Sequence, residues 1–129
     1  MLHRVVYVSE SVGATAVSTQ SLAEILGASD RNNRRDHLTG CVLFHEGRIV
    51  QAIEGGRADI DRLVRRLLVD PRHTGMRIIV DTPISERLMH EPMALCRDPA
   101  TMMRRTGLTT LSRLTAGDVQ AMLEYRLAA

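Results

Sequence analysis

One short run of residues decides the fold of this chain: residues 48–55 read Arg-Ile-Val-Gln-Ala-Ile-Glu-Gly. The run is typical of a β-strand, in which side chains alternate between the two faces of a sheet. Gln51 therefore shares a face with Ile49 and Ile53, and this face is apolar enough to belong to a core. A buried amide without hydrogen-bond partners costs about 1–3 kcal/mol. We therefore expect Gln51 to have specific polar partners inside the protein.

Two other polar positions raise the same question. Tyr7 lies on the Val5 face of an N-terminal run, residues 2–9, that is also typical of a strand. Asn32 and Asn33 close a helical pattern in which Asn33 points with the apolar stripe and Asn32 lies at its edge. A tyrosine, a glutamine and an asparagine pair on inward faces suit a planar ligand whose edge carries donors and acceptors.

Each of these residues also has a purely structural interpretation. Gln51 can be a core amide bonded to backbone, and Tyr7 a core ring with a satisfied hydroxyl. Asn32 and Asn33 can cap the end of a helix, because asparagine tolerates the left-handed conformation. A purely structural account requires all of these interpretations to be correct at the same time, however. The predicted topology makes Tyr7 and Gln51 neighbours on central strands, with the end of the first helix beside them.

The pattern along the whole chain predicts a ferredoxin-like α+β sandwich of order βαββαββ. Two helices cover one face of a mixed sheet, and a C-terminal helical extension follows. The predicted elements are a strand over 2–9, a helix ending near Asn33, a hairpin of 38–44 and 48–54 turning at Glu46-Gly47, a helix through Ile60 and Leu68 ending at Asp70-Pro71, a strand over 76–81, a weaker edge strand over 88–95, a short helix after Pro99 and a final helix from about Thr115.

Composition excludes several classes of function. The 129 residues suit one domain, and the net charge of +2 with dispersed arginines argues against a nucleic-acid partner. Cys41 and Cys96 are too few for a disulfide framework and are interpreted as core thiols. The scattered histidines lack ligand spacing, so no metal site is predicted. No signal-peptide pattern or bilayer-spanning apolar stretch is present, so we expect a soluble cytoplasmic protein without a membrane partner.

The central part of the chain resembles the BLUF domains, which are blue-light sensors that use FAD. The similar residues are Asn32-Asn33-Arg34-Arg35-Asp36-His37-Leu38-Thr39-Gly40, then Val42-Leu43-Phe44, Gly47, Val50-Gln51, Glu54-Gly55 and Asp70-Pro71-Arg72-His73, together with Tyr7 and Ser9 on the first strand. The similarity runs from about residue 2 to residue 81. It implies a flavin-binding domain over residues 1–97 and a helical extension over 98–129 that packs on the sheet or on a partner.

The resemblance also implies the roles of individual residues. A flavin, FAD with FMN as the alternative, is held between the two main helices. Gln51 bridges the photoactive Tyr7 to the flavin, and Asn32 and Asn33 bond the polar edge of its ring. The remaining implied cofactor contacts are Ile25, Arg66, Arg72 and His73. An arginine suits the phosphate part because its forked guanidinium bonds oxygens in pairs.

The fifth strand departs from the family pattern. Members of the family often carry Trp-Ser-Met there, whereas residues 87–94 of this chain read Arg-Leu-Met-His-Glu-Pro-Met-Ala. The tryptophan is absent, and either Met93 or Ala94 takes the position of the methionine. We assign the signal relay to Ser9 together with Met93 or Ala94.

The expected function is that of a blue-light photoreceptor and not of an enzyme. Light rearranges the hydrogen bonds among the flavin, Gln51 and Tyr7, and the chain then signals to a partner protein or through a homo-oligomer. The final helix has an apolar stripe that serves either use or covers the open sheet face, formed by Val119, Met122, Leu123 and Leu127. The alternatives are a non-photoactive flavin or small-ligand module and a ferredoxin-like interaction domain without a ligand.

Overall fold

The computed structural model describes residues 1–11, 30–45, 47–69, 73–96, 98–108, 111 and 114–128. Its elements follow the predicted order. They are β1 (Leu2–Ser11), α1 (described over 30–35), β2 (Thr39–His45), β3 (Arg48–Gly56), α2 (Arg57–Leu68), β4 (His73–Ile84), β5 (Ala94–Leu95), α3 (Pro99–Thr106) and α4 (Ala116–Ala128).

The five strands form one mixed sheet in the order β4-β1-β3-β2-β5. β1 is antiparallel to both β3 and β4, and β2 and β3 form the predicted hairpin. β5 joins the free edge of β2 in the parallel direction. This arrangement confirms the predicted α+β ferredoxin-like fold, and it makes β1 and β3 central neighbours.

Alternate residues of each strand point to opposite sides of the sheet, and a hydrophobic core packs on each side. One core, which we call the α2 core, consists of Val5, Tyr7, Leu38, Ile53, Ile60 and Leu63. The opposite core, which we call the α3/α4 core, includes Val6, Val8, Leu43, Val50, Ala52, Met89, Met102, Met103, Val119 and Leu123. Val119 and Leu123 of the final helix therefore cover the sheet, while the side chain of Leu127 lies outside the described part.

The prediction of a strand over residues 88–95 is wrong in length, because only Ala94 and Leu95 pair as β5. The backbone amides of Leu88 and Met89 instead donate to the side chain of Glu54. Pro92 has no N–H to offer to a sheet. In place of the expected β-sheet hydrogen bonds, Leu88 and Met89 donate to a side-chain carboxylate, and Pro92 cannot donate at all.

The other four strands and α2 differ from prediction only in their ends. β4 runs from His73 to Ile84, longer than predicted, because β1 pairs with it along nearly its whole length. The helix predicted through Leu68 is confirmed as α2, which begins at Arg57, although Leu68 itself is 63% exposed. The predicted turn residue Glu46, the stop at Asp70-Pro71 and the start of the first helix lie outside the described residues.

The asparagine pair does not cap α1. Asn32 and Asn33 lie within the helical stretch 30–35, and their carbonyl groups still accept helix-end bonds from Asp36 N at 3.1 Å and from Leu38 N at 2.9 Å. The residue in the left-handed conformation is His37, with φ of 56°. The structural interpretation of the pair as a C-cap is therefore wrong.

Within the described residues, no helix combines the length and the apolar character needed to cross a bilayer. Over the same residues, no group of three His, Cys, Asp or Glu side chains could hold a metal ion. Cys41 and Cys96 are both half-buried and are not joined in a disulfide.

Candidate functional site

Tyr7 and Gln51 meet at the centre of the sheet. The register of β1 and β3 places them directly opposite each other, and the Tyr7 hydroxyl donates a hydrogen bond to Oε1 of Gln51. Only 2% of Tyr7 and 6% of Gln51 is exposed. A phenol and an amide are thus held in contact in a site of low polarity, where a hydrogen bond is electrostatically stronger than in water.

The other end of the Gln51 amide faces sulfur. Its Nε2 lies 3.8 Å from Sδ of Met93, and a thioether is only a weak acceptor. The amide therefore has a strong partner at its oxygen and a weak one at its nitrogen. Of the two relay residues predicted from sequence, Met93 approaches Gln51, whereas Ala94 is buried in β5 and pairs with Cys41.

Asn33 presents a buried acceptor to the same region. The residue is 0% exposed, its Nδ2 donates to the carbonyl of Pro92 at 2.6 Å, and its Oδ1 has no hydrogen-bond partner among the described residues. Asn32 is only half-buried. Because an unsatisfied buried oxygen costs about 1–3 kcal/mol, the orphaned Oδ1 points to a ligand that donates to it.

Ser9 supplies a second orphaned group. It follows Tyr7 by two residues on β1, so the two side chains share a sheet face. Its hydroxyl is buried, with no hydrogen-bond partner among the described residues. Asn33 on α1 and Ser9 on β1, both close in sequence or structure to the Tyr7–Gln51 pair, thus each carry a buried polar group without a partner in the described part of the chain.

Basic side chains gather around Asp36, just beyond α1. Nε of Arg35 lies 3.0 Å from this nearly buried carboxylate, and Nη2 of Arg66 on α2 lies 3.4 Å from it. Hydrogen bonding from Arg35 first, and then from Arg66, lowers the pKa of Asp36. The link therefore contributes stability above the ordinary pKa of an aspartate, and this contribution is lost as the pH falls through the lowered value. Because Arg35 is largely exposed and Arg66 partly exposed, the contribution is modest.

Several of the predicted cofactor contacts cannot be compared with the structure. Ile25 and Arg72 lie outside the described residues, and so does the side chain of His73, whose backbone pairs with Ser11 at the start of β4. Arg66 lies on α2 as expected, with Asp36 as its partner.

Sequence reasoning missed Asp36, the carbonyl of Pro92 and the buried Glu54. Glu54 is 0% exposed and forms a salt bridge with Arg4, with an N···O distance of 2.7 Å. One sequence signal was available for this pair. Glu54 and Arg4 fall on the same face of two strands predicted to be neighbours, opposite the face of Tyr7 and Gln51, and a buried charge needs an opposite charge beside it.

Comparisons with known proteins identify the family of the chain. Residues 2–93 match the BLUF family, described as sensors of blue-light using FAD. The photoactivated adenylate cyclase subunit beta-like protein FB of Euglena gracilis is 29% identical over 97 residues, which is 75% of this chain and 11% of that protein. The photoactivated adenylate cyclase subunit beta of the same organism is 29% identical over 87 residues, 67% of this chain and 10% of that protein. The chain thus spans about a tenth of the length of these curated relatives.

Solved structures agree as well. The dark-state structure of BlrB, a BLUF protein, matches with a TM-score of 0.81 and 28% identity, covering 98% of this chain and 96% of BlrB. The ground state of BlsA matches with a TM-score of 0.86 and 21% identity, covering 100% of this chain and 89% of that one, and this match supports the fold alone. The fold and the family match together define a light-sensing domain. The chain belongs to the BLUF family of blue-light sensors that bind flavin.

The described residues fit a flavin. The ring system of a flavin carries donors and acceptors along one edge, and two kinds of unsatisfied group among the described residues would suit it. The buried Oδ1 of Asn33 accepts, and the buried hydroxyl of Ser9 both donates and accepts. The NH₂ end of Gln51, whose partner among the described residues is a thioether, can donate to a better acceptor.

Proposed function

We propose that this chain is a blue-light photoreceptor that binds FAD and uses Tyr7 and Gln51 as its photoactive pair. The observation that carries the proposal is the buried hydrogen bond from the Tyr7 hydroxyl to Oε1 of Gln51, together with the orphaned Oδ1 of Asn33. A bound flavin absorbs blue light and in its excited state is a strong oxidant. The electron and proton transfers that follow are carried out by Tyr7 and Gln51.

Tyr7 is the donor of the pair. Its phenol gives up an electron, which makes the hydroxyl a much stronger acid. The proton then moves along the existing hydrogen bond toward Oε1 of Gln51. When the electron and proton return to Tyr7, the amide of Gln51 is left rotated or tautomerised into a second hydrogen-bond arrangement. The result is a two-state element at the centre of the sheet.

Asn33 and Asn32 hold the polar edge of the ring in this proposal. Arg66 and Arg72 bind the phosphate part, and Ile25 and His73 complete the contacts. Arg66 is suited to this role because its guanidinium is 3.4 Å from Asp36 in a loose contact and has further N–H groups to offer.

Asn33→Ala should weaken flavin binding by about tenfold, because one buried hydrogen bond to the ring is worth about 1 kcal/mol or somewhat more. The measurement is a titration of flavin-free protein with FAD, followed by the loss of FAD fluorescence. Asn32→Ala is the matched comparison and should cost less, since Asn32 is only half-buried. Unchanged affinity in Asn33→Ala would remove Asn33 from the cofactor site.

The purified protein should be yellow, and blue light should shift its flavin absorption bands reversibly to the red. Protein expressed with ample flavin and purified in the dark is measured before and after illumination. Heat should release the flavin, and chromatography of the supernatant then distinguishes FAD from FMN. Static bands would support the non-photoactive flavin module, and a folded but colourless protein would support the interaction domain without a ligand.

We further propose that residues 1–97 act as the sensor and 98–129 as its extension, in a cytoplasmic protein without catalytic activity of its own. The output is a contact with a partner protein or with a second copy of the chain. This view is supported by the curated relatives, which are named photoactivated cyclase subunits and of which this chain matches only about a tenth. Val119 and Leu123 pack against the sheet, so a rearrangement of the sheet would alter the contacts of the extension.

A further inference from the structure

Glu54 is a buried charge whose hydrogen bonds join three parts of the chain. It follows Gln51 by three residues on β3, so its side chain points to the opposite face of the sheet. Its Oε2 accepts from Nε of Arg4 at 2.8 Å, and its Oε1 accepts from the backbone amides of Leu88 at 2.9 Å and Met89 at 2.8 Å. Hydrogen bonds to a charged acceptor are about twice as strong as neutral ones. Glu54 thus fixes the start of the segment that leads to β5.

Arg87 fixes the same segment from its other side. Its Nη1 donates to Oγ1 of Thr39 and to the backbone carbonyl of Glu54, both at 2.8 Å, and its Nη2 donates to the carbonyl of His37 at 2.8 Å. The forked guanidinium therefore joins the end of β3, the start of β2 and the turn after α1. We call Glu54 and Arg87 the clamp, and residues 87–93 the connecting segment.

The connecting segment runs from the clamp to the photoactive pair. Met89 is buried in the α3/α4 core, on the face of the sheet away from Tyr7. Further along, the carbonyl of Glu91 accepts from Gly40 N at 3.0 Å, and that of Pro92 accepts from Nδ2 of Asn33 at 2.6 Å. Sδ of Met93 then lies 3.8 Å from Nε2 of Gln51.

We propose that Glu54 and Arg87 are positioning residues of the photoactive site. The proposal rests on the photoreceptor function proposed above. The connecting segment has no strand or helix of its own before the two residues of β5, so its position depends on individual hydrogen bonds to its backbone and to the side chain of Arg87. By fixing residues 87–89, the clamp sets where Met93 meets Gln51 and where Pro92 meets Asn33. It also ties that contact to Met89 in the α3/α4 core.

The test uses Glu54→Gln and Arg87→Lys, with Glu86→Gln as the matched control at an exposed carboxylate one residue before Arg87. A glutamine at position 54 must turn an NH₂ group toward either Arg4 or the two amides, so it cannot accept on both sides. A lysine at position 87 keeps the charge but loses the fork. Each variant therefore weakens the clamp without opening a cavity.

Four quantities are measured: amide hydrogen exchange and the Met93 methyl signal in the dark and in the light, the lifetime of the light-adapted state, and the flavin content. In Glu54→Gln, hydrogen exchange of the Leu88 and Met89 amides should accelerate at least about tenfold, because each loses a charge-assisted bond. In both variants, the ¹³C-methyl signal of Met93, assigned with Met93→Leu, should move, and the lifetime of the light-adapted state should change severalfold. Flavin content and exchange of the amides between β1 and β3 should match the wild type, and Glu86→Gln should match it in every measurement.

Two results would overturn the proposal. If both variants keep the wild-type Met93 signal and the wild-type lifetime of the light-adapted state, the clamp does not position Met93 at Gln51. If exchange accelerates equally across the whole sheet, the clamp contributes general stability and not position. Should Glu54→Gln fail to fold, Arg87→Lys decides between these outcomes. If the wild type shows no response to light, the photoreceptor function fails, whereas the Met93 signal in the dark still tests the clamp.

Discussion

Tyr7→Phe should abolish the light-induced red shift while flavin stays bound. The substitution removes the hydroxyl that donates to Oε1 of Gln51, and with it both the proton to be moved and the readily oxidised phenol. The phenylalanine ring keeps the packing of Tyr7 in the α2 core against Val5 and Ile53. The expected change is therefore from a full shift to none, with a loss of folding stability of only about 1 kcal/mol.

Difference spectra before and after blue light measure this effect, with the flavin-to-protein ratio recorded on the same samples. The chain contains two tyrosines, so Tyr125→Phe makes the same chemical change elsewhere and should leave the shift intact. A shift of normal size in Tyr7→Phe would show that Tyr7 is not the electron donor. Loss of flavin along with the shift would instead give Tyr7 an anchoring role.

The arrangement of Tyr7 and Gln51 was predictable because it follows from local periodicity. Alternation along two strands fixes which side chains share a face, and the order of elements makes β1 and β3 neighbours. The inward direction of Asn33 follows in the same way from the helical period. Beyond the order of the strands in the predicted fold, these inferences needed no knowledge of contacts between individual side chains, and the register of Tyr7 opposite Gln51 agrees with them.

The connecting segment was not predictable in this way, because tertiary contacts override its local pattern. Apolar residues between Leu88 and Leu95 are compatible with a strand, but the amides of Leu88 and Met89 bond a carboxylate that lies 34 and 35 residues earlier in the chain. The choice between Met93 and Ala94 depended on the same geometry. The carbonyl of Pro92 bonds Asn33, and the next residue, Met93, therefore reaches Gln51. No local sequence rule identifies which carbonyl bonds Asn33.

The link between Asp36 and Arg66 is hidden from the sequence for a similar reason. Arg35 is the sequence neighbour of Asp36, and a contact between them needs no fold. Arg66 reaches the same carboxylate only because α2 packs beside the end of α1, 30 residues away in sequence. The sequence can therefore indicate that a charged residue has an ion-pair partner, but it does not identify a partner that is distant in the chain.

Gln51→Leu and Gln51→Glu should both abolish the red shift, and together they separate the contact with Tyr7 from the switch. Leucine has no acceptor for the Tyr7 hydroxyl, so this buried hydrogen bond is lost at a cost of about 1–3 kcal/mol. An ionised glutamate keeps an acceptor for Tyr7. Its two oxygens are equivalent acceptors, however, so turning the group over produces no second arrangement, whereas turning over an amide exchanges a donor for an acceptor.

The two variants are compared by absorption and by flavin fluorescence. Neither should form the red-shifted state, but Gln51→Glu should keep the flavin fluorescence more strongly quenched than Gln51→Leu, because Tyr7 remains bonded and positioned to donate an electron. The Met93 methyl signal should move in both, since each removes the NH₂ group that lies 3.8 Å from its sulfur. A full red shift in Gln51→Glu would mean that the donor end of the amide is dispensable, and the two-state element would then have to lie elsewhere in the site.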